Sequence, residues 1–323
     1  TRAGEVYAQN FPQEVSFERA IFISWGCSLG DCSFCYMSTQ PESKRVTETC
    51  RSTASILAEC ILCRELGWDI GFVTGGIGAW KHEDLLILAK HIHQIVGKFW
   101  LSIGPISEKI LLTYKPYICG VVGSIETINP ELHAKVCPSK PISGYEKMFT
   151  SAQKHDLKRA MTFIVGLGET HNDFSLLKDF IEKNAITKIH VYGLIPQKGT
   201  PYENVKPPSP EDEAWWIAQL RISFPGLDIQ CGIWHDRAEY LPVLLQAGAN
   251  SVSKLQALKV FGSNHLKNIV QMSEKAGRTF RGELLTVPSR NWDALVDECV
   301  DESLQKAVKE KLKKYLNAMN RSK

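Results

Sequence analysis

A closed (β/α)8 barrel of the TIM type is the fold this sequence predicts, and two patterns predict it. Eight short apolar runs alternate with longer amphipathic stretches, an order that implies a parallel sheet wrapped by helices. A loop carrying Cys27, Cys32 and Cys35 directly follows the first run, so the topology puts it on the face where such barrels hold their active sites. The make-up agrees: 323 residues, 44% hydrophobic and 23% charged, suit a globular protein with a large core.

Taken in order, the strands are expected over residues 20–25, 70–74, 99–103, 118–125, 158–165, 188–194, 228–233 and 251–255. Each is a short apolar, largely β-branched or aromatic run. Helical periodicity fills residues 53–66, 83–96, 142–155, 173–184, 210–224 and 239–247 between them. Residues 279–284 extend a strand, and 293–318 form a charged amphipathic helix or two, with 306–314 as a solvated face. The expected division is an N-terminal extension at 1–19, the barrel at 20–285 and a C-terminal helical extension at 286–323, packed on the barrel.

A net charge of +3 is too small to argue for nucleic acid or a membrane surface as partner. No apolar run approaches a membrane span, and the first ten residues do not read as a secretory signal. The chain begins at Thr1 rather than Met, which leaves a trimmed start open. Ten cysteines spread through a core-rich chain, three of them clustered, favour a reducing cytoplasm and metal binding over a disulfide framework.

The clustered thiols carry the chemistry. Three cysteines within nine residues are one short of a closed tetrahedral zinc site, and they suit an iron–sulfur cluster that keeps one iron free of protein ligands. The segment 27–35 resembles the cluster loop of radical S-adenosylmethionine (SAM) enzymes, including the aromatic Phe34 before the last cysteine. The resemblance implies a [4Fe–4S] cluster on Cys27, Cys32 and Cys35, with SAM on the open iron, cleaved to a 5′-deoxyadenosyl radical. The family spacing is usually C-x3-C-x2-C, whereas this chain has C-x4-C-x2-C, with Gly30 and Asp31 supplying turn chemistry for the added residue.

Other strand ends fit the same resemblance. After the second strand, Thr74-Gly75-Gly76 offers bare backbone to a ligand; in the family such a glycine pair binds the SAM amino group. The fourth strand ends in Ser124-Ile125-Glu126-Thr127, and a carboxylate at a barrel strand end is costly unless it serves a site. The element is similar to one in the biotin synthase-like group, which assigns Ser124 and Glu126 to SAM. The turn Gly166-Leu167-Gly168-Glu169-Thr170 resembles the segment lining the adenosine, and the stretch from Ile195 resembles the one closing over the adenine. Where the group has an arginine for the SAM carboxylate, this chain has Met148; Lys147 is the expected substitute and Lys135 the second candidate.

Biotin synthase itself holds a second cluster inside the barrel. Its ligand positions align with Ala160 and fall near Leu101 and Gly232, none of which is a ligand, so a single cluster is expected. Relatives of that kind are the HydE maturases, the methylornithine synthases and the HmdB (HcgA) group, and the stretched cysteine spacing is most similar to the last. The resemblance therefore implies a small-molecule substrate in biosynthesis of the iron-guanylylpyridinol cofactor of [Fe]-hydrogenase, with ferredoxin or flavodoxin as electron donor. The alternatives are a HydE-like or methylornithine synthase-like enzyme or, from another class, an iron–sulfur electron carrier or zinc protein. Cys60 and Cys63 read as core thiols on a helix, and Cys119 as a buried strand residue. Cys50, Cys137 and Cys299 read as isolated, and His133 and His155 as lacking partners. Cys231 reads as core ahead of function, and Trp234 and His235 are candidates to line a substrate pocket.

Overall fold

The computed structural model describes residues 1–40 and 48–321. Its strands are β1 (Glu14–Phe22), β2 (Asp69–Thr74), β3 (Phe99–Ser102), β4 (Ile118–Glu126), β5 (Lys158–Val165), β6 (Lys188–Gly193), β7 (Asp228–Gly232), β8 (Ser251–Ser253) and β9 (Thr279–Arg281). Its helices begin with α1 (Arg2–Asn10), α2 (Thr53–Glu65), α3 (His82–Val96), α4 (Glu108–Tyr114), α5 (Pro130–Val136) and α6 (Ile142–Lys154). They continue with α7 (Phe174–Lys183), α8 (Pro210–Ser223), α9 (Leu241–Gln246), α10 (Asn264–Lys275), α11 (Trp292–Cys299) and α12 (Glu302–Arg321).

All strand pairings of the barrel are parallel, and β1 closes it by pairing with β2 (Phe22 opposite Thr74) and with β8 (Phe17 opposite Val252). The predicted (β/α)8 barrel is therefore the fold. A ninth strand, β9, joins the start of β1, with Glu14 opposite Thr279. Helix α12 lies on the barrel's flank against α2, where the Tyr315 hydroxyl meets the Ser55 hydroxyl at 2.7 Å.

The first strand starts six residues before the expected boundary, and the reason is the polar barrel interior. Val15, Phe17 and Ile21 point outward into the helix–sheet core, while Glu18 points inward. Charged residues at alternate positions thus disguise a strand as a polar stretch. Inside, the Glu18 carboxylate accepts hydrogen bonds from Lys188 Nζ, Gln230 Nε2 and Ser251 Oγ, each at 2.6 Å. Gly71 leaves room for this network, since a Cβ there would lie 3.0 Å from Glu18 Oε2. The result is a polar floor under the C-terminal half of the barrel.

Period-two alternation also sorts the uncertain residues. Gln230 reaches Glu18 and Tyr192 inside, so Cys231 faces out, fully buried against the helix layer. Among the positions aligned with the second cluster, Ala160 packs in the interior, whereas Leu101 belongs to the outer core and Trp100 is the inward neighbour. Cys119 is half-buried and lines a cavity at the N-terminal end of the barrel. The His155 imidazole sits 2.7 Å from the Glu108 carboxylate, a partner that sequence did not reveal.

Candidate functional site

The cysteine loop lies over the C-terminal ends of the strands and is tied down from two sides. The Ser28 N–H and hydroxyl both donate to Ile77 O, at 2.8 and 2.7 Å, on the turn after β2. The Ser33 N–H donates to Val136 O at 2.9 Å, and Asp31 Oδ2 accepts from Ser139 N at 3.1 Å, both on the segment after β4. Gly30, with φ of 56°, takes the left-handed turn that makes room for the extra residue between Cys27 and Cys32. All three cysteines are half-buried and free.

The glycine pair meets this loop directly. A Cβ on Gly76 would stand 1.8 Å from Gly26 O and 2.5 Å from Cys27 Cα, so only a bare backbone fits there. Gly75 is less confined, its Cβ falling 3.0 Å from Ile23 Cγ1. Thr74 O accepts from Ile23 N at 2.7 Å, which continues the β1–β2 pairing up to the loop.

The donor set suits an iron–sulfur cluster: three soft thiols, from one loop, beside backbone that no side chain blocks. Among the described residues no three His, Cys, Asp or Glu side chains converge as ligands of one ion do. A cluster does not ask for that, because each thiolate takes its own iron. The thiols differ in character. A hydrogen bond from Cys137 lowers Cys32 below the ordinary thiol range, against the effect of burial, with the Lys140 cation helping. Burial pushes Cys35 up to about 11. Cys137, expected to be isolated, is thus a fourth thiol beside the loop.

Glu126 ends β4 in a left-handed conformation, φ 66°, and its buried carboxylate accepts from Lys140 Nζ at 3.2 Å and Thr162 Oγ1 at 3.0 Å. Burial opposes the charge of Lys140, yet Glu126 holds the ammonium well above the ordinary lysine range. Neither predicted lysine stands here. The inward face of α6 is Tyr145, Met148, Phe149 and Ala152, which turns Lys147 to solvent; Lys135 is likewise exposed. Lys140, on the connection from α5 to α6, is the buried cation by Glu126. It belongs to no periodic element, so sequence offered no signal for it.

The turn after β5 is internally satisfied. The Glu169 carboxylate accepts from the backbone N–H of Gly166 at 2.6 Å, Leu167 at 2.9 Å and Gly168 at 3.2 Å. Leu167 O accepts from the Tyr202 hydroxyl at 2.7 Å. Gly166 and Gly168 have φ of 103° and 118°, which only glycine adopts without strain. The turn therefore offers shape and apolar surface. Ser124 is half-buried near the end of β4, and Ile195 follows β6 at the rim.

Below the loop a cavity of 690 Å³ opens into the barrel, lined by Phe34 and Cys35 from the loop, by Phe22, Phe72 and Tyr192 from strands, and by Ile195, Trp234 and Lys254 just beyond strand ends. Trp234 lines this cavity, and His235 is not among its lining residues. The Glu18 and Gln230 side chains form its floor. Deeper still, His190 is fully buried edge-on to Phe72, and burial pushes it down to about 4, so it is neutral at pH 7.

The family model described as Radical SAM superfamily matches residues 21–181. The uncharacterized protein MJ0597 of Methanocaldococcus jannaschii is 32% identical over 286 residues, covering 87% of this chain and 78% of the relative. A biotin synthase of Thermodesulfovibrio yellowstonii is 24% identical over 254 residues, covering 76% and 78%. Among solved structures, methylornithine synthase (PylB) superposes with a TM-score of 0.71 at 21% identity, over 91% of this chain and 89% of that one, a likeness of fold.

Proposed function

The chain belongs to the radical SAM superfamily and is an enzyme of the biotin synthase-like kind, using a [4Fe–4S] cluster and SAM; on that premise we propose that Cys27, Cys32 and Cys35 hold the cluster. Gly75 and Gly76 seat the SAM amino group beside it, Glu126 and Ser124 contact SAM from β4, and Gly166, Leu167 and Ile195 line its adenosine. When bound, cluster and SAM supply a 5′-deoxyadenosyl radical.

The chain's residues bind, orient and exclude water. Gly76 lets the turn lie on Cys27 without a side chain between them. Lys140 is the cation for the SAM carboxylate in place of the family arginine: it is buried and beside Glu126, whereas Lys147 is in solvent. Phe22, Phe34 and Phe72 keep the cavity wall dry, and the Glu18 network closes its floor, so the substrate enters from the C-terminal face. The observation that carries this reading is the glycine turn docked on the cysteine loop above a cavity that Cys35 itself lines.

The finer reading is a role in assembling the iron-guanylylpyridinol cofactor of [Fe]-hydrogenase, in the cytoplasm, with ferredoxin or flavodoxin as reductant. It is supported by the four-residue gap between Cys27 and Cys32 and by the absence of ligand chemistry at Ala160 and Gly232. The test is anaerobic reconstitution followed by SAM, reductant and candidate pyridinol precursors, read by mass spectrometry. Consumption of a precursor together with 5′-deoxyadenosine formation is expected. SAM cleavage that leaves every precursor untouched contradicts the cofactor role and retains the radical enzyme.

A further inference from the structure

We infer that the cavity at the C-terminal mouth takes a substrate bearing a carboxylate, held by the ammonium of Lys254 and the indole N–H of Trp234. The inference rests on reading this mouth as the substrate cavity of a radical SAM enzyme, and deepens it by naming the substrate class.

The polar groups around the cavity are largely committed to one another. Glu18 takes Lys188, Gln230 and Ser251. The Arg19 guanidinium donates to Glu59 at 2.6 Å and to Leu255 O at 3.3 Å. Gln230 donates to Glu18 and accepts from the Tyr192 hydroxyl at 3.0 Å. Lys254 stands apart. Its ammonium lies 4.1 Å from the centroid of the Tyr192 ring, and among the described residues no carboxylate lies within ion-pair distance of it.

The placement of Lys254 is built into the fold. It follows β8 with φ of 62°, a left-handed conformation rare for a non-glycine residue, so the chain is held there by its surroundings. Gly232, opposite on β7, supplies the space. A Cβ at Gly232 would lie 2.3 Å from Tyr192 Cδ1 and 3.3 Å from Lys254 Cδ. Burial pushes the ammonium down to about 8, with Glu126, Glu213 and Cys35 acting against the drop, so the group is still mostly a cation at pH 7.

The second donor is independent. Trp234 lines the same cavity, and its indole N–H is buried with no acceptor among the described residues. Ammonium and indole N–H can only donate, so a complementary ligand brings acceptors. A neutral acceptor leaves the lysine charge unpaired in a cavity walled by Phe22, Phe34 and Phe72. A carboxylate pairs with that charge, and its second oxygen supplies an acceptor of the kind the indole N–H lacks. The aromatic wall suits a flat apolar body, so the class is a small organic acid. The rival source of a carboxylate is SAM itself, which Lys140 already serves in the proposed arrangement.

The test uses the reconstituted full chain with SAM. It is titrated calorimetrically with benzoate, phenylacetate and 3-phenylpropionate, and with the three matching amides. At least one acid should bind tenfold or more tightly than its amide. Lys254→Gln should erase that preference, Lys254→Arg should keep it, and Trp234→Phe, which retains the ring without the N–H, should weaken acid binding several-fold. Thermal melts identify any variant that fails to fold, in which case the remaining ones decide. No acid surpassing its amide, or a preference that survives in Lys254→Gln, overturns the inference. Lys254→Gln weakening SAM while sparing acid binding also overturns it, and assigns the lysine to SAM. Loss of SAM cleavage with acid preference intact would instead contradict the radical SAM reading alone.

Discussion

Replacing Gly76 by alanine is the sharpest perturbation the structure offers. The new methyl carbon would fall 1.8 Å from Gly26 O and 2.5 Å from Cys27 Cα, whereas real contacts of this kind essentially never come under 3.0 Å. Both obstacles are backbone, so no side chain can swing away. The turn and the cysteine loop must separate by more than an ångström. Overpacking of this sort costs about 1–3 kcal/mol, and the site lies on a loop at the barrel mouth, so the barrel is expected to fold. The functional cost is larger, because a displacement of about 1 Å at a reacting site can cost roughly a hundredfold in rate. The expected result is a cooperative melt close to wild type, reduced iron per chain after reconstitution, and 5′-deoxyadenosine formation down about a hundredfold. Gly75→Ala, whose Cβ would lie 3.0 Å from Ile23 Cγ1 and 3.2 Å from Ser24 N, needs shifts of only a few tenths of an ångström and should lose far less. Wild-type iron content and rate in Gly76→Ala would refute the claim that this turn and the cysteine loop form one site.

Two further predictions concern charge. Lys140→Met should weaken SAM binding by about tenfold or more, the scale of a charge-assisted hydrogen bond worth roughly 1.5–3 kcal/mol, with cluster content unchanged; Lys147→Met should have no effect. Equilibrium dialysis of both variants checks this, and the reverse ranking would remove Lys140 from the site. Glu59 is fully buried and accepts from Arg19 and Arg51 at 2.6 and 2.7 Å. Burial alone would raise it, but the two guanidinium groups hold it below the usual carboxylate range, and Lys188 does the same for Glu18. The folded state therefore binds fewer protons than the unfolded one. Their stabilisation is present above the ordinary carboxylate pKa and is lost as pH falls through the depressed range. Glu59→Gln should lower stability by about 3–5 kcal/mol at pH 7, with the gap to wild type narrowing in acid, as measured by urea melts across pH.

The barrel was legible because its outer faces obey simple periods. The apolar runs at 70–74, 118–125 and 158–165 lie on β2, β4 and β5 almost residue for residue. Where the interior is polar the signal fails: Glu18 and Ser16 on β1 look like loop residues until Lys188, Gln230 and Ser251 are seen around them. The candidate site was legible in its parts and not in its contacts. The cysteine loop, the glycine pair and Glu126 each carry a local pattern. Lys140, Cys137 and Thr162 reach the same place through space, from a loop, a helix end and the middle of a neighbouring strand, with no spacing to announce them. Lys147 was misplaced for the opposite reason. Sequence position put it next to Met148, and the helical period turned it out to solvent.

The most direct measurement of the central claim is the EPR spectrum of the anaerobically reconstituted, reduced protein with and without SAM. If Cys27, Cys32 and Cys35 leave one iron open, the protein should carry about four irons per chain, and SAM should change the spectrum. Any single Cys→Ala variant of the three should lose both the signal and SAM cleavage. A spectrum indifferent to SAM, or full activity in one of those variants, would contradict the account.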